Sequence, residues 1–417
     1  MHRLTHYRSS FCCVAFNHNY RHNWVGLGSR NMADIPTKDP VLNGHHTEVH
    51  RYTYTPEDLV LQSSPWEKFS RSKVIYNKFD EELCSRWDEA MEAGMFRYRL
   101  DSLQTKILPG RLRFVAQLNV KRAQERRAPQ NIIGMNHPFD PKKFNFTKIK
   151  PGEIVFEVCP QRDSPHQKNG TGVQNGTTSE EAPASKRVKK SAHMVIINVS
   201  PLAYGHILLV PSLQDCLPQV LTEEALLMAI EMTLLSKHQG FRMGFNSLCA
   251  YASVNHLHFH GYYLEYELGT ESCLTAPFHS GVHVLNSDYP APGFAFQLQG
   301  EDAMGLARQV YKVANYLQKH EIAHNVFMTR GTQFGEDSNS LHRTLRVYLW
   351  PRKPVTGPKD DFVFNPALCE LAGHLPIKVE DGFMTLTEEE AVKTIKTQSL
   401  QREEFEALKT EIAAVLG

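Results

Sequence analysis

Apolar residues recur at helical spacing in several stretches and predict the main helices. Residues 81–93 place five apolar side chains on one helical face: Leu83, Cys84, Trp87, Ala90 and Met91. Residues 302–320 do the same with Leu306, Val310, Val313 and Leu317. A further helix is expected to start after Thr222, a favourable N-cap, and to end near His238. From Thr387 onward the tail is expected to be helical, with Thr387 and Glu390 as a capping box.

Alternating apolar and polar residues predict strands between these helices. The segments are 113–120, 143–149, 154–158, 194–199, 206–210, 325–329 and 345–350. A turn at residues 200–205 follows from its Pro and Gly. The basic stretch 121–127 is expected to be a solvated loop, although its arginines could hold phosphate groups. The mixture predicts an α+β fold.

One order of elements occurs twice. A helix, a Phe-Asn or His-Asn pair, a loop and a strand follow one another before residue 263 and again before residue 351. We therefore expect two related halves, residues 56–290 and 291–377, built from antiparallel sheets with helices packed on them. In the second copy the alternating residues of the last strand are Arg346, Tyr348 and Trp350. Only the first half carries a histidine row.

Composition marks the outer parts of the chain and one insert. Residues 1–31 contain no acidic residue, as in a mitochondrial presequence, but they lack a clear amphipathic period. We expect residues 1–55 to form a disordered extension and residues 56–377 to form the catalytic domain. Residues 162–191 are rich in Gly, Ser, Thr and Asn, which predicts a flexible insert. Residues 378–417 form the helical tail.

The totals exclude some functional classes. Among 417 residues, 46 basic and 45 acidic side chains give a formal charge of +1, which argues against a general nucleic-acid surface. No apolar run reaches the ~18 residues of a membrane-spanning helix, so no membrane partner is expected. Eight cysteines without a CxxC pair indicate a reduced, cytoplasmic protein with no thiolate zinc site.

Residues 254–263 hold the candidate chemistry. His256, His258 and His260 fall at every second position, with Leu257 and Phe259 between them. In a strand the three imidazoles share one face and the apolar side chains share the other. The chain has 21 histidines, so some fall close together by chance. Three in strict alternation inside an apolar strand nevertheless indicate a functional site.

Two kinds of chemistry fit this row. Imidazoles two residues apart on a strand can share a metal ion, with Glu265 or Glu267 as a further ligand, as in a metal-dependent β-barrel enzyme. Alternatively, the central His258 attacks phosphorus as a nucleophile, which divides one displacement into two easier ones without a metal. Polar residues for a phosphate group lie just upstream at Asn246, Ser247 and Ser253.

A family resemblance is carried by residues 198–201 (Asn-Val-Ser-Pro), 205–211 (Gly-His-Ile-Leu-Leu-Val-Pro) and 252–263. Together they resemble the histidine-triad superfamily of nucleotide hydrolases and transferases. Within it, the chain is most similar to the GDP-hexose phosphorylases, through Lys-Phe-Asn-Phe-Thr-Lys at 143–148 and further stretches between residues 60 and 377. The resemblance implies a histidine-triad-like fold, GDP-D-glucose and inorganic phosphate as substrates, and no cofactor.

The resemblance also implies roles for individual residues. His258 matches the nucleophile that becomes nucleotidylated, and His256 and His260 match the flanking positions that orient it and contact the phosphates. His206 matches a supporting histidine on the upstream strand. Asn198 matches the ribose contact, where the superfamily commonly has an acid. Asn246 and Ser253 match contacts to the α-phosphate.

Two positions bear on the branch of the superfamily. Ala252 stands where many members have glutamine, which separates the chain from the small hydrolases. His260 stands where the plant GDP-L-galactose phosphorylase has glutamine, which favours GDP-glucose as the substrate. A histidine-triad hydrolase and a GDP-L-galactose phosphorylase remain the alternatives.

Overall fold

The computed structural model describes residues 49–62, 76–100, 103–161, 191–336, 343–356 and 363–417. Over these ranges the strands are β1 (Arg51–Tyr54), β2 (Thr105–Ile107), β3 (Val115–Leu118), β4 (Ile154–Pro160), β5 (His193–Ile197), β6 (Ile207–Val210), β7 (Phe241–Asn246), β8 (Phe259–Tyr263), β9 (Thr275–His279), β10 (Val282–Leu285), β11 (Phe294–Gln297), β12 (His324–Thr332), β13 (Arg343–Pro351) and β14 (His374–Ile377). The helices are α1 (Lys78–Glu92), α2 (Val120–Glu125), α3 (Glu223–Leu235), α4 (Ala303–Lys319), α5 (Leu368–Leu371), α6 (Glu380–Thr385), α7 (Glu388–Gln398) and α8 (Arg402–Leu416). The α+β class is confirmed. Residues 1–48 of the expected extension and residues 162–190 of the expected insert lie outside the described residues. The expectation of disorder was wrong for residues 51–54, which form β1 and pair with β4.

Eleven strands form one sheet with the order β1-β4-β5-β6-β8-β7-β12-β13-β11-β10-β9. Read outward from the central β7–β12 pair, the strands are β7, β8, β6, β5 and β4 on one side. On the other side they are β12, β13, β11, β10 and β9. Each side therefore contains a three-stranded meander, a helix (α3 or α4) and a hairpin, in the same chain order. The eleventh strand, β1, pairs with β4 at the edge of the first side. Strand β8, which carries His260, corresponds in this topology to β13.

The long helices cover one face of the sheet. Thr222 caps α3 because its hydroxyl accepts the Ala225 N–H at 3.1 Å. Residues 225–235 are all buried, since α3 packs between α4 and β7. The five apolar side chains expected on one face of α1 are buried, as are the four of α4. The predicted capping box of Thr387 and Glu390 opens α7.

The other face of the sheet carries a second apolar core. A small sheet with the order β14-β3-β2 and the helices α5 to α7 contribute to it. Tyr348 and Trp350 of β13 are buried here, with their rings stacked 5.5 Å apart. Tyr348 and Trp350 of the second half therefore contribute to the packing of this core.

No helix in the described ranges has both the length and the apolarity to cross a membrane.

Outside the histidine row, two predictions of local structure were wrong. Residues 120–125 form helix α2 instead of the end of a strand and a loop, because the Asn119 side chain accepts the Arg122 N–H and caps the helix. The alternation in residues 143–149 does not produce a strand. The Asn145 side chain accepts the Thr147 N–H at 3.1 Å, and this turn leads into a short 3₁₀ helix at Phe146–Lys148.

Candidate active site

The histidine row lies only partly on a strand. Strand β8 begins at Phe259, so His256 and His258 precede it, contrary to the expectation of one strand through residues 254–263. The two faces nevertheless separate as expected. Leu257 and Phe259 lie in the core beneath the long helices, whereas His258 and His260 line a cavity on the opposite face.

Side chains replace the missing strand partners. Gln219 is fully buried; its carbonyl oxygen accepts the His258 N–H at 2.9 Å and its amide donates to the His258 carbonyl oxygen at 3.2 Å. Asn255 accepts the Gln219 N–H at 2.9 Å. These side-chain hydrogen bonds thus hold the backbone of His258, which has no hydrogen bonds to a neighbouring strand of the described sheet. Nothing in the sequence singles out Gln219, a lone glutamine between Pro218 and Val220.

The protonation state of His258 follows from one hydrogen bond. Its Nδ1 lies 2.7 Å from the carbonyl oxygen of His256. Because a carbonyl oxygen can only accept, Nδ1 carries the proton. Burial lowers the pKa of His258 to about 4, so the ring is neutral at pH 7 and Nε2 keeps its lone pair.

A second chain of hydrogen bonds orients His260. The Leu202 N–H donates to Nδ1 of His206 at 2.9 Å, so the proton of the neutral His206 ring is on Nε2. That nitrogen lies 3.1 Å from Nδ1 of His260 and donates to it. Nε2 of His260 therefore carries its own proton as a donor. Burial lowers the pKa of both rings well below the usual value, which keeps them neutral.

His256 lies beside the cavity rather than in its lining. Its ring packs against Phe139 and Phe146, and its Nδ1 accepts the Phe146 N–H at 3.2 Å. Burial lowers its pKa to about 4. His256 therefore fixes the Phe146 segment by its side chain and the His258 ring by its carbonyl group.

The cavity that contains His258 and His260 is lined by both polar and apolar side chains. Together with its mouth, which is open to solvent, it encloses about 740 Å³ of empty space. The polar lining includes Arg122, Arg126, Arg127, Glu153, Asn198, Ser200 and Ser253. The apolar lining includes Phe144, Phe146, Ile149, Ile196, Leu208 and Val254. A lining of this composition suits a ligand that carries both a flat apolar ring and charged groups.

The structure places only some of the sequence-predicted binding residues in the cavity lining. Asn198 and Ser253 line the cavity, and the side-chain oxygen of Asn198 accepts the Ser200 N–H at 3.1 Å. Asn246 is not in the lining; its side-chain oxygen accepts from Asn325 at 2.6 Å, across the β7–β12 pair. The Ser247 hydroxyl is also not in the lining and bonds to the Leu248 carbonyl oxygen. Both lie where the two halves of the sheet meet.

The arginines of residues 121–127 are part of the cavity, contrary to the expectation of a solvated loop. Arg122, Arg126 and Arg127 all line it. Arg122 donates to the Ser200 carbonyl oxygen, and the guanidinium of Arg127 lies 3.2 Å from the centre of the Phe144 ring. The signal in the sequence is three arginines within six residues, directly after a strand and a capping asparagine.

The histidines of the row do not converge on one point. In the described part of the chain, no group of three or more His, Cys, Asp or Glu side chains is arranged to hold a metal ion. His256 and His258 both use Nδ1 for backbone hydrogen bonds, and of these two rings only that of His258 lines the cavity, where its unprotonated Nε2 can meet a ligand.

Family models match almost all of the described chain. Residues 78–262 match the model "GDPGP1-like, N-terminal domain", and residues 267–417 match "GDPGP1-like, C-terminal domain". The first range ends with β8 and the second contains β9 to β13, so the two models divide the chain between the two repeats of the sheet.

Individual proteins match over similar lengths. The chain is 44% identical over 373 residues to human GDP-D-glucose phosphorylase 1, which covers 88% of this chain and 92% of that protein. It is 31% identical over 348 residues to GDP-L-galactose phosphorylase 2 of Arabidopsis thaliana, over 80% and 76% of the two chains. The crystal structure of yeast Ap4A phosphorylase Apa2 with Ap4A superposes with a TM-score of 0.49 at 13% identity, over 78% of this chain and 99% of that one.

Proposed function

The chain belongs to the GDPGP1-like family, and from this premise we propose that it converts GDP-D-glucose and inorganic phosphate to glucose 1-phosphate and GDP. Human GDP-D-glucose phosphorylase 1 supports this substrate more strongly than the plant GDP-L-galactose phosphorylase does, at 44% against 31% identity. In reaction terms the protein is a guanylyltransferase that passes GMP from a sugar phosphate to phosphate.

The observation that carries the proposal is the free lone pair on Nε2 of His258. In the first displacement this nitrogen attacks the α-phosphorus of GDP-glucose. A P–N bond forms, the P–O bond to the β-phosphate breaks, and glucose 1-phosphate leaves with the bonding electron pair. The imidazole becomes cationic, and the Nδ1–H bond to the His256 carbonyl oxygen stabilises that charge.

In the second displacement an oxygen of inorganic phosphate attacks the same phosphorus. A new P–O bond forms, the P–N bond breaks, and His258 recovers its lone pair as GDP leaves. A neutral imidazole is both a good nucleophile and a good leaving group here, so positioning and charge stabilisation supply most of the rate.

Other cavity residues support this chemistry. His260 presents an Nε2–H donor for a phosphoryl oxygen, oriented by His206. Ser253 supplies a hydroxyl for the phosphates and Asn198 an amide for the ribose. The apolar lining, which includes Phe144 and Ile149, suits the face of a purine base.

Product analysis tests the proposal. The protein is incubated with GDP-glucose, GDP-L-galactose, GDP-mannose or UDP-glucose, each with and without phosphate. The expected result is GDP and glucose 1-phosphate in equal amounts, only from GDP-glucose and only with phosphate. GMP released at the same rate without phosphate would indicate a hydrolase, and a preference for GDP-L-galactose would indicate the plant-type activity. Loss of turnover with a chelator would support a metal enzyme instead.

A further inference from the structure

Arg126 is a half-buried arginine in the cavity lining. No hydrogen bond or ion pair joins its guanidinium to another residue in the described ranges. Burial, and then the positive charge of Arg122, lower the pKa of Arg126. The charge of Glu370 acts in the opposite direction. A partly exposed guanidinium without an acceptor in the described ranges can donate hydrogen bonds to an anion bound in the cavity.

Four other buried arginines of the fold are anchored to the backbone, although Nε and Nη1 of one of them, Arg330, have no hydrogen-bond partner in the described ranges. Each donates to at least one backbone carbonyl oxygen: Arg242 to Gly240, Arg330 to Ser236, Arg346 to Thr332 and Arg352 to Pro366. These side chains hold the fold together. Within the part of the chain that the structure describes, Arg126 has no comparable contact, so its N–H donors are available to a ligand.

The neighbours of Arg126 fix the surroundings of this donor set. Arg122 is held by the Asn119 cap and by the Ser200 carbonyl oxygen, and its charge contributes to the lowered pKa of His260. Two guanidinium groups and the His260 donor thus line one cavity with the reactive nitrogen of His258. The planar set of N–H donors on each guanidinium group suits the binding of a phosphate dianion.

We propose that Arg126, together with Arg122, forms the subsite for the phosphate that departs within glucose 1-phosphate and for the inorganic phosphate that replaces it; this inference rests on the function proposed above. Displacement at phosphorus is in line, so the leaving group departs from the side opposite Nε2 of His258. The acceptor then attacks the GMP-histidine from that same side. One anion subsite therefore serves both displacements, and phosphate is favoured over water because only phosphate is bound there.

The test compares two fates of the GMP-enzyme. Wild-type protein and Arg126→Met are loaded with GMP from labelled GDP-glucose and freed of substrate, and discharge of the label is followed with inorganic phosphate or in water alone. In Arg126→Met the second-order rate constant for discharge by phosphate is expected to fall about 10- to 100-fold, as for loss of charged hydrogen bonds. Discharge by water is expected to stay within about twofold of wild type.

Controls separate a structural effect from a loss of phosphate binding. Arg308→Met removes an exposed arginine of α4 that pairs with Glu223, and both rates are expected to be unchanged. Arg126→Lys keeps the charge but loses the fork, so an intermediate rate with phosphate is expected. Equal falls with phosphate and with water, or a wild-type phosphate rate in Arg126→Met, would overturn the subsite. If wild-type protein forms no GMP-enzyme, the covalent route itself fails, which is a different outcome.

Discussion

The carbonyl oxygen of His256 lies 2.7 Å from Nδ1 of His258, so one histidine of the row fixes the tautomer of the next through its backbone. The His256 side chain points elsewhere, to the Phe146 N–H. The alternating spacing therefore does more than place rings on one face. It also places a backbone carbonyl oxygen where it accepts the Nδ1–H of His258, so that the lone pair of the ring is on Nε2, and His258 lines the cavity.

The hydrogen bond between His206 and His260 predicts that substitutions of these two residues have strongly non-additive effects on kcat/KM. We expect His206→Asn and His260→Asn each to lower kcat/KM about 10²-fold, because each removes the oriented Nε2–H donor from the phosphoryl group. The double variant is expected to be little worse than either single variant, since both remove the same donor.

His324→Asn is the matched control for this cycle. His324, the first residue of β12, is also fully buried and neutral, with its pKa lowered to about 4 by burial, but it bonds to the Ile322 carbonyl oxygen just before the strand. Its effect on log kcat/KM is expected to add to that of His260→Asn. Additive effects for the His206 and His260 pair would contradict the proposed orientation of His260.

The pH dependence of the chemical step follows from the neutral state of His258. Since its pKa is lowered to about 4, the rate of GMP transfer measured in single-turnover experiments is expected to be constant between pH 8 and pH 6. An unperturbed histidine would lose half of the rate near pH 6.5. A midpoint in that region would contradict a buried, neutral nucleophile.

The same pKa shift predicts how stability depends on pH. Between about pH 4 and 6.5 the unfolded chain binds a proton at His258 that the folded chain does not, so the free energy of unfolding falls as the pH is lowered through this window. The expected slope is about 1.4 kcal/mol per pH unit for a fully titrating group. His258→Asn is expected to flatten the wild-type dependence by about 2 kcal/mol between pH 6.5 and 4.5, as measured by urea unfolding. An unchanged dependence would argue against the shift.

Gly205 predicts a link between backbone conformation and activity. It has φ +63°, and an added Cβ would lie 2.5 Å from the Tyr263 ring. Gly94 has φ +70° with no atom within 4 Å of the added Cβ. We expect Gly94→Ala to cost about 1 to 2 kcal/mol from the left-handed conformation alone, and Gly205→Ala about 1 to 3 kcal/mol more from crowding.

Turnover distinguishes the two glycine variants further. Gly205 directly precedes His206, so its displacement is expected to reduce kcat, whereas Gly94→Ala should retain wild-type kcat. Urea unfolding and steady-state rates measure both effects. Equal losses of stability and activity in the two variants would contradict the tight packing of Tyr263 against this turn.

Much of the fold follows from the sequence because its periodic patterns are local. The buried stripes of α1 and α4, the Thr222 cap and the capping box at Thr387 are all visible in the chain. A repeated order of elements was visible as well, but the second repeat of the sheet begins with β9 at Thr275, before the expected boundary at residue 290. Where the predictions failed, a single asparagine side chain competes with the alternation, at Asn119 and at Asn145.

The site was only partly predictable, since tertiary contacts decide what each side chain reaches. The alternating histidines predicted His258 and His260 as site residues. The contact that holds the His258 backbone comes from Gln219, which is 39 residues away in the sequence. Asn246 and Ser247, chosen for proximity in sequence, lie outside the cavity lining, whereas Arg126 lies within it. The spacing of residues along the sequence does not distinguish an arginine that lines the cavity from one that faces solvent.

The most direct measurement of the central claim is the chemical identity of the labelled residue. Protein is mixed with GDP-glucose labelled in the guanosine part, without phosphate, and the modified peptide is mapped under alkaline conditions. The account predicts one acid-labile GMP on His258, released as GDP when phosphate is added, and no label in His258→Asn. A wild-type protein that turns over GDP-glucose without such a label, or that carries it on another residue, would contradict the account.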